Sequence, residues 1–306
     1  MIVAVTGANG FVGRALCSQL ATASVEVRRL VRNQTAPEEI GVGDLALSTD
    51  IETALADVTT VVHLAARAHV MREGPGEVMN RYRQANVVAT RRLAEAACAA
   101  GARRFVFLSS VKVHGERTSR HCAFRPEDAF NPNDDYALSK VEAERVLDEF
   151  AADLDVVTLR PPLIYGPGVR ANFQLLVDAV RRGVPLPLAS ISNERSLLGL
   201  TNLCSAIETV ITHPDRIASA FMLSDGAAIS TPDLVRAIAE ALGKTAALMP
   251  FPVPLLRLVG GLTGRRATVD RLCDSLVVDD MGLRAAIGWR PPCDLRQGLR
   301  DMLGPR

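Results

Sequence analysis

The stretch Ile2-Val3-Ala4-Val5-Thr6-Gly7-Ala8-Asn9-Gly10-Phe11-Val12-Gly13, continued by Arg14-Ala15-Leu16-Cys17-Ser18-Gln19-Leu20, decides the fold. Ile2 to Val5 is a short unbroken apolar run, which suits a strand buried on both faces of a sheet. The residues after Gly13 have helical spacing, so the segment reads as strand, glycine turn and helix. Glycines at 7, 10 and 13 permit a tight turn, a close approach of backbone to a pyrophosphate and close packing of helix on strand. The start of the helix offers free N–H groups to an anion. The spacing is G-x-x-G-x-x-G, not the G-x-G-x-x-G of the standard dinucleotide fingerprint, and a plain strand-to-helix turn competes with the cofactor reading.

The same alternation continues outward. Strands are expected within 25–31, at Gly43-Asp44-Leu45 with its turn, at 60–66, at 104–110 and at 155–160, the last stopped by Pro161-Pro162. Helical spacing covers 82–100, with Gly101 as its stop, and runs from Tyr136 to about residue 152. Strands alternating with helices predict an α/β fold with a Rossmann-type, doubly wound parallel sheet. Beyond Tyr165-Gly166-Pro167-Gly168 the period of the sheet weakens, and isolated helices at 172–182, 231–242 and 252–262 dominate. We expect a dinucleotide-binding domain at 1–165, with a return of the chain at about 195–224 that brings Phe221-Met222-Leu223 back to the sheet. A smaller, mostly helical substrate-binding domain is expected at 166–194 and 225–306.

Bulk properties exclude several classes. The 306 residues are 48% hydrophobic and 23% charged, ordinary values for a globular protein of this size. With 35 basic and 34 acidic residues the net charge is +1, so there is no global field to favour nucleic acid or an anionic membrane as the main partner. No apolar run is long enough to cross a bilayer, and the N-terminus enters the glycine turn without a basic leader or cleavage site. Cys17, Cys98, Cys122, Cys204, Cys273 and Cys293 are scattered and form no C-x-x-C. Free thiols in a reducing cytoplasm are expected, with no metal site and no membrane partner.

The chemistry centres on Tyr136-Ala137-Leu138-Ser139-Lys140. On a helix, residues four apart project from one face, so an ammonium stands beside a phenol. A cation there favours the phenolate and prepares Tyr136 as an acid/base for a hydroxyl being oxidised or a ketone being reduced. A surface helix start is the competing reading for that motif taken alone. Ser109-Ser110 ends the fifth strand, and ligands of open α/β sheets bind at that carboxyl edge. After the second strand comes Leu30-Val31-Arg32-Asn33, with no carboxylate in the place where NAD sites hold the ribose. Arg32 therefore argues for NADP, although Arg28, Arg29 and Arg32 can equally be solvated. Asp44 is placed to reach an adenine amine, and His63 to stabilise a turn.

Together these motifs resemble the extended short-chain dehydrogenase/reductase family, in its branch of nucleotide-sugar epimerases, dehydratases and reductases. The likeness spans nearly the whole chain. Its parts are Thr6-Gly7-x-x-Gly10-x-x-Gly13, His63-Leu64-Ala65-Ala66, Asn86, Ser109-Ser110, Tyr136-x-x-x-Lys140, Arg160-Pro161, Tyr165-Gly166-Pro167-Gly168 and Gly288-Trp289. The resemblance implies that Tyr136 is the acid/base, that Lys140 lowers its pKa and binds the nicotinamide ribose, and that Ser110 bonds the sugar oxygen. It implies cofactor contacts from Gly7, Asn9, Gly10, Phe11, Val12, Gly13, Arg32, Asp44, Leu45, Leu64, Ala65, Ala66, Asn86, Pro162 and Leu163. Substrate contacts are implied for Lys112, Asn172, Arg195 and Arg271, the arginines on a nucleotide diphosphate.

Departures from the family narrow the reaction. Sugar dehydratases carry Asp-Glu after the Ser110 position, and here Val111-Lys112 follow, which disfavours dehydration. Val111-Lys112-Val113-His114-Gly115-Glu116, Pro185-Leu186-Pro187-Leu188 and Arg195-Ser196-Leu197 resemble bacterial surface-polysaccharide enzymes that reduce UDP-4-keto-6-deoxy-N-acetylglucosamine to UDP-N-acetylquinovosamine. A 4-ketoreductase using NADPH, with NAD possible, is thus the first expectation. A UDP-hexose or UDP-N-acetylhexosamine 4-epimerase with retained NAD is the second. A non-catalytic dinucleotide sensor or scaffold is a distant third, since it would be expected to lose Ser110, Tyr136 and Lys140. By resemblance alone, a homodimer is implied.

Overall fold

The computed structural model describes residues 1–23, 25–68, 77–119 and 121–304; residues 305 and 306, which close the expected substrate domain, lie outside them. Its strands are β1 (Ile2–Thr6), β2 (Glu26–Val31), β3 (Glu39–Gly41), β4 (Thr60–His63), β5 (Arg104–Leu108), β6 (Asp155–Arg160), β7 (Leu163–Tyr165), β8 (Leu197–Gly199) and β9 (Ser219–Met222). The helices are α1 (Phe11–Thr22), α2 (Ile51–Ala54), α3 (Glu77–Tyr82), α4 (Ala89–Ala99), α5 (Asp135–Asp148), α6 (Ala171–Arg181), α7 (Leu200–Thr212), α8 (Thr231–Ala241), α9 (Val253–Leu262), α10 (Arg266–Cys273), α11 (Met281–Ile287) and α12 (Leu295–Leu303).

Among the described residues seven parallel strands form one sheet in the order β3-β2-β1-β4-β5-β6-β9. The order reverses beside β1, between β1 and β4, and such a switch point opens a crevice at the carboxyl ends. As the unbroken apolar run of β1 requires, Val3 and Val5 join one core with Leu16, Leu20, Leu203 and Ile207. Ala4 faces the other way, into a second core with Leu93, Phe105, Phe107 and Leu147. Each buried leucine or phenylalanine contributes about 1.5–3 kcal/mol by leaving water. A third core joins Phe173, Val177, Leu234, Val235, Ile238 and Leu299, in the chain that follows β7.

Three elements differ from the sequence reading. The third strand is Glu39–Gly41, ahead of residues 43–45, because Asp44 makes a turn: its carboxylate accepts from the Ala46 N–H and its carbonyl from Leu47 and Ser48. The expected helix at 82–100 is interrupted by a π-helical segment, Arg83–Val88, which carries Asn86. Leu163–Tyr165 pairs in parallel with Leu197–Gly199 as a small second sheet, which the sequence reading did not assign.

No described helix is long and apolar enough to cross a membrane. Among the described residues no group of three His, Cys, Asp or Glu side chains is gathered to hold a metal ion, and all six cysteines are free thiols.

Candidate active site

The glycine turn leaves β1 and passes against β4. Gly7 has φ +65°, and a Cβ there would lie 2.9 Å from the Ala65 nitrogen. At Gly13 a Cβ would stand 2.2 Å from the Gly7 carbonyl oxygen, so α1 can start this close to the strand only without a side chain. Gly10 caps α1 with no side-chain hydrogen bond, which leaves its first N–H groups open at the crevice.

A chain of hydrogen bonds joins this turn to α5. Thr6 Oγ1 lies 2.7 Å from His63 Nδ1, and His63 Nε2 lies 3.0 Å from Thr90 Oγ1. Thr90 donates to the Asn86 carbonyl and Thr6 Oγ1 accepts from the Ala65 N–H, so His63 donates through Nε2 and accepts at Nδ1. Asn86 then clamps Arg67 through both backbone groups and donates to Ser139 Oγ at 2.8 Å. Ser139 in turn donates to the Tyr136 carbonyl at 2.7 Å. His63 thus braces Thr6, where the glycine turn begins. It is a buried link between β4 and α4, held neutral because burial, then the charge of Lys140, lowers its pKa to about 3.

Asp134 caps α5, accepting from the Ala137 N–H at 2.7 Å, and so fixes where Tyr136 leaves the helix. Ser110 caps the 3₁₀ turn Val111–Val113 at the end of β5, its Oγ accepting from Lys112 N–H at 3.3 Å. Lys112 Nζ pairs with Asp134 at 2.6 Å and ties the Ser110 turn to the Tyr136 cap. Val111 N–H donates to Pro161 at 3.0 Å, which draws Pro162 and Leu163 beside that turn.

The pairing of Lys140 with Tyr136 differs from the sequence argument. Lys140 Nζ donates to the Leu108 carbonyl at 2.8 Å and rests 4.4 Å from the centre of the Phe107 ring. Burial draws its pKa down to about 7, against the upward pull of Glu144. The phenol of Tyr136 is raised rather than lowered, first by burial and then by the negative charge of Asp134 and by Tyr82. The phenol is therefore the stable form near neutral pH.

Glu144, one helical turn beyond Lys140, was not singled out in the sequence. It accepts from Ser109 Oγ and from Nε and Nη2 of Arg160, the latter at 2.6 Å. Arg160 Nη1 also donates to His114 Nε2 at 2.9 Å and to Pro126 at 2.7 Å. The spacing Tyr136, Lys140, Glu144 on one helix face was the signal available for it.

On the nucleotide side Arg32 is not free. Its Nη2 donates to Asp44 at 3.0 Å, so a carboxylate stands at the end of β2 after all, supplied by the loop after β3. Arg29 pairs with Glu38, and Arg28 donates to the Ala54 and Ala56 carbonyls. Leu45 packs against the core beside Asp44.

Of the expected substrate residues, Lys112 and Arg271 bracket Glu116, at 2.6 and 3.7 Å. Arg195 Nη1 donates to the Arg271 and Asp274 carbonyls, both at 2.9 Å, and its pKa is lowered first by burial. Asn172 stands apart on the exposed first turn of α6, next to Ala171 with φ +59°. Among the described residues no hydrogen bond joins it to Lys112, Arg195 or Arg271.

The profile described as "NAD dependent epimerase/dehydratase family" matches residues 3–223. The chain belongs to this NAD-dependent epimerase/dehydratase family. It is an enzyme fold of the extended short-chain type, and the family likeness read from the motifs holds. A Vibrio cholerae protein named UDP-glucose 4-epimerase is 42% identical, over 98% of this chain and 93% of the relative. An Escherichia coli O157:H7 protein named N-acetyl-alpha-D-glucosaminyl-diphospho-ditrans,octacis-undecaprenol 4-epimerase is 27% identical over 97% of this chain and 92% of its own length. Among solved structures, MoeE5 in complex with UDP-glucuronic acid and NAD superposes with a TM-score of 0.78 at 28% identity, covering 99% of this chain and 98% of that one.

Proposed function

We propose that this family member interconverts C4 epimers of a UDP-linked hexose or N-acetylhexosamine, with NAD held through the cycle. The observation that carries the reading is that the Ser110 turn at the end of β5 is tied through Lys112 and Asp134 to the cap of the helix that bears Tyr136, while Lys140 of that helix reaches the Leu108 carbonyl of β5. The names of the Vibrio relative and of the MoeE5 complex support the choice of sugar and cofactor.

A dinucleotide fits the crevice. The turn is closed at Gly7 and Gly13 where side chains would clash, and the uncapped amides of α1 face the place of a pyrophosphate. Asn9, Gly10, Phe11 and Val12 would line it with Leu64, Ala65, Ala66, Asn86, Pro162 and Leu163, and Asp44 and Leu45 would take the adenosine end. Bound there, the nicotinamide supplies hydride transfer to and from C4.

The chain's own residues handle the proton and the orientation. Tyr136 exchanges a proton with O4, Ser110 holds O4 by a hydrogen bond, and Lys140 binds ribose and adds positive charge as the phenol ionises. Lys112, Asn172, Arg195 and Arg271 would receive the diphosphate, with Glu116 giving up its contacts to Lys112 and Arg271. We assign residues 1–165 and 195–224 to dinucleotide binding, and 166–194 with 225–306 to the substrate, in keeping with the separate third core.

A second reading, the NADPH-dependent 4-ketoreductase forming UDP-N-acetylquinovosamine, is favoured by the raised pKa of Tyr136, since a phenol is the form that donates to a ketone oxygen. Its argument from Arg32 is weakened by Asp44, which answers that charge.

The test is to denature the purified protein, quantify released NAD and NADP, and then assay UDP-glucose and UDP-N-acetylglucosamine for C4 inversion. Stoichiometric NAD with inversion supports the epimerase. An empty protein that consumes NADPH with the UDP-4-keto sugar overturns it in favour of the reductase.

A further inference from the structure

We propose that the hairpin of α9 and α10 is a peripheral docking surface for an anionic phospholipid bilayer. Leu255, Leu258, Val259 and Leu262 follow the spacing i, i+3, i+4, i+7 and form one stripe on α9, yet they are 44%, 57%, 44% and 80% exposed. The helix is anchored by its other side. Val253 and Leu256 join the third core, and Gly260 lies so close to α10 that a Cβ would stand 2.6 Å from Val269 Cγ2. A firmly packed helix therefore turns a row of aliphatic side chains to solvent, an arrangement that marks an interaction surface.

The charge around the stripe selects the partner. No aspartate or glutamate lies between Glu240 and Asp270, whereas Lys244, Arg257, Arg265 and Arg266 do, in a chain otherwise balanced at 35 basic and 34 acidic residues. Arg265 and Arg266 sit at the tip, after Thr263 and Gly264. The Arg266 side chain is 81% exposed with only a 3.7 Å contact to Asp270, and Arg265 makes no ion pair among the described residues. Arg257 is turned to Asp274 at 2.6 Å. Exposed leucines beside Arg265, which has no ion pair among the described residues, and Arg266, which has only the long contact to Asp270, match a surface that is apolar below and anionic above. A second copy fits less well, because pairing this face with itself gathers Arg265 and Arg266 of both copies with only Asp270 beside them.

The docking is in the plane of the bilayer and needs no spanning helix. It also has a consequence for the site. From the tip, α10 runs to Arg271, whose carbonyl is held by Arg195, so the docked hairpin sets the nucleotide-diphosphate end of the candidate site close to the lipid surface. The proposal stands on the α9 face and does not depend on which C4 reaction the site performs.

The full chain is sedimented with vesicles of phosphatidylcholine mixed equally with phosphatidylglycerol, and with phosphatidylcholine alone. Two variants are compared, Leu258→Asp with Leu262→Asp and Arg265→Glu with Arg266→Glu, each checked by circular dichroism for an unchanged fold. The expected result is binding to the anionic vesicles that weakens roughly tenfold or more in neutral vesicles and in both variants. Failure of the wild-type protein to sediment with anionic vesicles overturns the proposal. So does binding that both variants retain in full. A wild-type dimer that the leucine variant splits, with no vesicle binding, assigns the stripe to a second copy instead.

Discussion

Glu144 of α5 and Arg160 at the end of β6 meet at 2.6 Å, with side chains only 6% and 5% exposed. A buried pair of this kind stabilises little over an apolar pair of similar size, but losing one partner strands a charge. Arg160→Met is expected to lower unfolding free energy by about 3–5 kcal/mol. Glu144→Met combined with Arg160→Met is expected to recover most of that loss. Urea unfolding of the two proteins measures both effects, and equal damage from single and double variants would contradict the account.

Lys140 gives a pH dependence of defined sign. Its folded pKa is about 7, below the ordinary 10.5, so between those values the unfolded chain holds more protons and wild-type stability falls as pH falls. The Lys140→Met variant lacks this group. Its stability relative to wild type should grow by up to about 1.4 kcal/mol per pH unit as pH drops through that window, and level off below the lower pKa. Thermal melts of both proteins across pH measure the difference, and a flat difference would show that the amine stays charged in the fold.

The contact of Arg32 with Asp44 predicts a cofactor shift. Asp44→Asn leaves Arg32 unanswered and available to a 2′-phosphate, so affinity for NADPH should rise relative to NADH by about tenfold, a difference of about 1.4 kcal/mol. Arg32→Ala should remove that gain. Fluorescence titration with both nucleotides measures the ratio, and an unchanged ratio in Asp44→Asn would place the discrimination elsewhere.

Tyr136→Phe should lower kcat by about 100-fold or more while leaving the fold and dinucleotide binding intact, since only the phenolic oxygen is lost. Turnover close to wild type would remove Tyr136 from the mechanism.

How much of this was legible in the sequence depends on the range of the interaction involved. The apolar run at β1, the three glycines and the Tyr136-x-x-x-Lys140 spacing report local geometry, and they were enough for the parallel sheet and the crevice. Glu144 was within reach of the same spacing argument, but nothing local reveals that a carboxylate on α5 is met by Arg160 and Ser109. The near-zero net charge likewise hid the acid-free segment before Asp270, because a sum over the chain erases where charges lie.

Local sequence was enough for the alternation of strands and helices in the first half of the chain, the glycine turn and the family likeness, because backbone sterics and hydrophobic period act over a few residues. The tertiary structure alone decided that Asp44 answers Arg32, that Lys140 turns to Leu108, that burial raises the Tyr136 phenol, and that the α9 stripe is left uncovered. Each of these depends on which residues from distant parts of the chain share a low-dielectric space, and that is set only when the sheet closes and the helices pack.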